Sequence, residues 1–127
     1  MLVSTPKLPP ALERIATTPV LASEKPAGFP HVKSVRLAPN RHIHTLGAVR
    51  IDFSNRHASE SASFALLRTH AAALRLAHRE ATVPTVGLFH TRAVAVGRFV
   101  VGVTATSKAK AKTFLTLALA HLRRSER

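Results

Sequence analysis

Seven of the eight prolines lie in the first 40 residues, at positions 6, 9, 10, 19, 26, 30 and 39, and only Pro84 follows them. Proline lacks the backbone N–H that helices and central strands use, so this stretch favours neither a long helix nor an inner strand. The chain is therefore expected to divide into an extended, proline-rich basic arm over residues 1–46 and a folded domain over 47–127. Ala11–Ala16 can form one or two helical turns, entered through Pro10. The arm reads either as a disordered tail or, because Leu8, Leu12, Ile15, Val20, Leu21 and Phe29 make it more apolar than a solvating tail needs, as an extended arm that orders against a partner, which is the expected case.

The folded part is organised around residues 47–79. In Ala48–Phe53 the apolar Val49, Ile51 and Phe53 alternate with Arg50 and Asp52, the period of a strand with one buried face. A polar turn over 54–59 follows. From Glu60 onward Phe64, Leu67, Ala71 and Leu74 fall three and four apart, which predicts one long amphipathic helix over about 59–79. Arg68, Arg75 and Arg79 would share a second side of that helix, either as a solvated face or as a ridge for phosphate contact. Glu60 at its start and Arg79 at its end suit the helix dipole.

Beyond it, residues 82–89 read as a strand placed at an edge by Pro84. Ala93–Val96 and Phe99–Thr104 flank Gly97-Arg98, a two-residue hairpin signal. Thr106 and Ser107 can cap a last helix whose apolar side holds Phe114, Leu115, Ala118, Leu119 and Leu122, with Arg123 and Arg124 near its carbonyl end. The expected class is α/β, a mixed sheet with helices laid on it.

Charge narrows the partner. Nineteen Lys and Arg stand against six Asp and Glu, a formal charge of +13. Self-repulsion of that size is relieved best by a polyanion, and the abundant ones are nucleic acid and anionic membrane, of which nucleic acid is the expected partner. Cysteine is absent, which excludes disulfides, thiolate metal sites and thiol redox chemistry. Trp and Tyr are absent and Phe numbers six, which argues against an aromatic platform for single strands. Phosphate contact is expected to outweigh base reading. No apolar run reaches the roughly 20 residues of a membrane span.

The expected RNA-binding residues are Lys33, Arg36 and Arg41 in the arm, Arg68, Arg75 and Arg79 on the long helix, and Lys108, Lys110, Lys112, Arg123 and Arg124 on the last. His42-x-His44 would point both rings one way on a strand, yet no cysteine or nearby carboxylate completes a metal set, so a basic connector is the simpler reading. Ser107-x-x-Lys110 matches the serine–lysine pattern of acyl-transfer enzymes without its companion motifs. Asp52 is the single aspartate, and no glycine loop cradles phosphate. A non-catalytic protein with no metal or cofactor is expected.

The order of strand, long helix, further strands and closing helix resembles the thioredoxin-like domain shared by mitochondrial ribosomal proteins of both subunits and a small accessory subunit of respiratory complex I. The resemblance covers about residues 47–122. It is carried by Val49–Phe53, by Ser61-Ala62-Ser63 at the helix entry, by Leu66–Arg79 along the helix and by Thr106-Ser107-Lys108 before the last one. It implies a thioredoxin-like fold without the redox cysteines and a structural role in the mitochondrial ribosome. The implied partners are ribosomal RNA and neighbouring ribosomal proteins. The alternative it implies is an accessory subunit on the matrix arm of complex I. Lys7 and Arg14, among hydroxyl residues with few acids, also have the flavour of a mitochondrial targeting segment, and the matrix is the expected location.

Overall fold

The computed structural model describes residues 7–81 and 89–126. Helix α1 spans Pro10–Thr17, strand β1 His31–Leu37, β2 Thr45–Ser54 and β3 Ser59–Leu67. Helix α2 follows at His70–Ala81, then β4 at His90–Val96, β5 at Phe99–Ala105 and helix α3 at Lys108–Ser125. The five strands form one sheet in the order β1-β2-β3-β5-β4, and every neighbouring pair is antiparallel. The protein is thus α/β with an antiparallel sheet, where a mixed one was expected.

The largest correction concerns the predicted helix over 59–79. Its first half is β3, in which Glu60, Ala62, Phe64 and Leu66 are buried in alternation. Ser59–Leu67 satisfies both periods, since Phe64 and Leu67 suit a helix stripe while residues 60 to 66 also alternate. Pairing with β2 on one side and β5 on the other decides for the strand. The polar turn becomes a hairpin, because the Asn55 side chain accepts the backbone N–H groups of His57 and Ala58 at 2.7 and 2.8 Å. Helix α2 is consequently short and rotated relative to expectation: Ala72, Ala73, Leu76 and Ala77 are its buried side, whereas Leu74 is 52% exposed.

The second correction concerns the arm. From residue 7 onward it is part of the same fold: β1 pairs with β2 from His31↔Ser54 to Leu37↔Ala48, and Leu8, Leu12, Ile15 and Phe29 belong to the main core. Pro9 and Pro10 fall at the start of α1, where a missing N–H costs nothing, and prolines 19, 26, 30 and 39 fall outside both α1 and β1. The expected strand over 82–89 lies outside the described residues except for Phe89. Three expectations hold: Val49, Ile51 and Phe53 are buried on one face of β2, Gly97-Arg98 turns β4 into β5, and Ser107 caps α3 by accepting the Lys110 N–H at 3.1 Å.

The sheet has unequal faces. Val49, Ile51, Phe53, Ala62, Phe64, Val101 and Val103 pack with α1 and α3 in the main core, where Phe53 and Phe114 meet edge to face at 5.4 Å. On the other face, α2 packs over the β4 and β5 side, with Ala73 and Leu76 against Leu67 and Val100. The β1 and β2 side of that face carries no helix among the described residues.

Candidate nucleic-acid interface

Four of the six acids accept from partners within the fold. Glu13 takes Arg36 in a two-pronged pair, Nε to Oε1 at 3.1 Å and Nη2 to Oε2 at 3.1 Å, and this raises the Arg36 pKa. Glu24, buried, takes Arg124 and is pushed down to about 2, chiefly by that bond. Asp52 takes Arg50, Nε to Oδ1 at 2.9 Å. Glu60 accepts the Thr106 N–H at 2.8 Å. Arg36 and Arg124, both expected to bind RNA, are therefore structural: each ties the N-terminal segment to the sheet or to α3.

Two adjoining grooves collect the cations at one end of the sheet. The larger, about 900 Å³, has Lys7, Arg41, His44 and Arg68 among its walls. The smaller, about 140 Å³, is lined by His42 and His44 on one side and by Arg75 and Arg79 of α2 on the other. His44 belongs to both, so the grooves form one belt, and no carboxylate is among the described residues lining either.

Local chemistry explains the belt. The Asn40 side chain accepts the His42 N–H at 3.0 Å, and Thr45 Oγ1 accepts the Asn40 N–H at 2.9 Å. These bonds hold Arg41–Ile43 as a single 3-10 turn, and His44 follows with φ of 59°. The two histidines are thus on a turn, not on the strand expected for a metal pair, and among the described residues no group of three ligand side chains gathers. On α2, Ala72 and Leu76 face inward, so Arg75 and Arg79, four apart, share the outer side.

Of the expected RNA-binding residues, Arg41, Arg68, Arg75 and Arg79 come together in the belt. Lys33 is exposed on β1 and Arg123 on α3. Lys108 stands apart beside His90 and Arg92, and Lys110 and Lys112 are exposed further along α3. Sequence reasoning missed Lys7, which only the folded chain sets in one groove with Arg68, and it placed His42 and His44 in a basic connector against phosphates without their neighbour Arg75. The serine–lysine pair is a helix cap in which the Ser107 hydroxyl accepts from the Lys110 backbone. No protein family, curated protein or solved structure matches this chain.

Proposed function

We propose that this is a non-catalytic RNA-binding protein that holds backbone phosphates along the belt and serves as a structural component of a ribonucleoprotein particle. The observation that carries the reading is the pair of grooves sharing His44, with Lys7, Arg41, Arg68, Arg75 and Arg79 in their walls and no carboxylate among the described lining residues. Guanidinium groups bind phosphate in two-pronged fashion. The capping role of Ser107 further supports a non-catalytic reading.

The mitochondrial ribosome, in the matrix, is the particle we propose, with neighbouring ribosomal proteins as further partners. That choice follows the family resemblance, whose residues Ser61–Ser63 lie on β3. The test is co-sedimentation from organelle lysate in a density gradient. Migration with a ribosomal particle, abolished by ribonuclease, is expected; migration with respiratory complex I overturns the assignment.

A further inference from the structure

The part of the sheet that α2 leaves uncovered is polar in an ordered way. One cross-strand row runs Lys33, Asp52, Ser61, Thr104 and Thr91 over all five strands, and every side chain in it is charged or carries a hydroxyl. The next row sets Arg50 beside Ser63 and Gly102. Above Gly102 lies the Glu80 carboxylate of α2, so close that a Cβ there would stand 3.0 Å from Glu80 Oε2 and 3.3 Å from Ser63 Oγ. A groove of about 490 Å³ follows the first row, with Arg50, Asp52, Glu60, Ser61, Thr104 and Phe89 in its lining, and Glu60 is already engaged by the Thr106 N–H.

Phe89 is the unusual member. Phe29, Phe53, Phe64 and Phe114 are core residues, whereas Phe89 is 45% exposed. The scarcity of aromatic side chains excludes an extended stacking platform; it leaves room for one ring. Beside that ring stands an ion pair with capacity to spare. Arg50 gives Nε and Nη2 to Asp52 at 2.9 and 3.2 Å, which leaves further guanidinium N–H groups and carboxylate lone pairs for a ligand. Among the described residues, the hydroxyls of Ser61 and Thr104 make no hydrogen bond within the protein.

We infer that this groove takes one unstacked nucleotide of the RNA strand whose phosphates lie in the belt. The base stacks on Phe89, Asp52 accepts from an exocyclic amine or the ribose 2′-hydroxyl, Ser61 and Thr104 complete the edge contacts, and Arg50 receives the phosphate. The inference rests on the RNA reading above and adds to it a single point of base contact on a surface that otherwise meets only backbone.

Fluorescence anisotropy of the full chain tests it with a ten-residue oligoadenylate, an RNA duplex of equal length, and AMP as competitor. Phe89→Ala is expected to weaken the single strand about tenfold and leave the duplex unchanged, while Phe89→Trp, which keeps a stacking face, retains binding. If AMP competes for the oligoadenylate in the wild type but not in Phe89→Ala, the groove accepts the free nucleotide as well, and the site stands. Equal effects of Phe89→Ala on strand and duplex, or none on either, overturn the groove and leave the belt intact. Failure of the wild type to bind either RNA overturns both readings.

Discussion

Arg124 and Glu24 stand 100 positions apart and share a two-pronged ion pair, Nε to Oε2 at 2.7 Å and Nη2 to Oε1 at 2.8 Å. Arg124 also donates to the Pro19 carbonyl. His121 completes the clasp, with Nδ1 2.9 Å from Glu24 Oε1 and Nε2 3.1 Å from the Ile15 carbonyl. One ring nitrogen therefore faces the carboxylate and the other the backbone of α1. The proline-rich segment is thereby fastened to the last turns of α3.

This clasp makes stability depend on acid. Glu24 is 5% exposed, and its pKa falls from the ordinary 4.5 to about 2, first through the Arg124 bond and then through His121 and the Leu21 N–H, against the opposing effect of burial. A carboxylate depressed on folding contributes fully above its ordinary value and loses that contribution as pH drops toward the folded one. Glu24→Gln is expected to cost about 3 kcal/mol at pH 7, and the gap to wild type should close between pH 4.5 and about 2. Urea melts of both proteins across that window measure it, and a gap independent of pH refutes the clasp.

Gly47 and Gly97 separate two reasons for glycine. Both have positive φ, +137° and +58°. A Cβ on Gly47 would meet Leu8 Cδ2 at 2.8 Å and Leu12 Cδ1 at 3.3 Å, whereas one on Gly97 meets nothing within 4 Å. Gly47→Ala is expected to cost about 2 kcal/mol, from overpacking and strain together, and Gly97→Ala about 1 kcal/mol from strain alone. Adding Leu8→Ala to each should recover part of the first loss and none of the second, as read by thermal denaturation.

Glu80 has the opposite sign from Glu24. Burial alone raises its pKa, so the folded state favours its neutral form. Its contribution is most favourable below the ordinary carboxylate value and declines as pH rises through the folded one. Glu80→Gln is therefore expected to stabilise the protein at pH 7 and to match wild type in acid. Stabilisation of equal size at both pH values would show that the charge is not the cause.

What the sequence revealed was local. The alternation at Val49, Ile51 and Phe53 and the Gly97-Arg98 turn are decided by neighbours within a few residues, and both appear as expected. β3 was hidden because alanine and serine suit either period and the deciding partners, Val49 and Val101 on either side of Phe64, come from distant strands. The interface follows the same division. Arg75 and Arg79 are visible as a helical pair, but only chain folding brings Lys7 and Arg68 to one groove, and only the fold withdraws Arg36 and Arg124 into pairs with Glu13 and Glu24.

That withdrawal gives the RNA proposal its sharpest control. Lys7, Arg41, Arg68, Arg75 and Arg79 line the belt, and each phosphate neutralised on a duplex contributes about −0.9 to the slope of log K against log salt. Occupation of Lys7, Arg41, Arg68 and Arg75 therefore predicts a slope of about −3.6. Arg41→Ala, Arg68→Ala and Arg75→Ala should each reduce its magnitude by about one, and the triple variant by about three. Arg36→Ala and Arg124→Ala remove the same formal charge from partnered positions, so they should lower stability and leave the slope unchanged. Filter binding between 50 and 200 mM salt (about the range over which such contacts are lost) measures all six variants. If the two partnered arginines shift the slope as much as the belt arginines do, net charge rather than this arrangement of grooves governs binding.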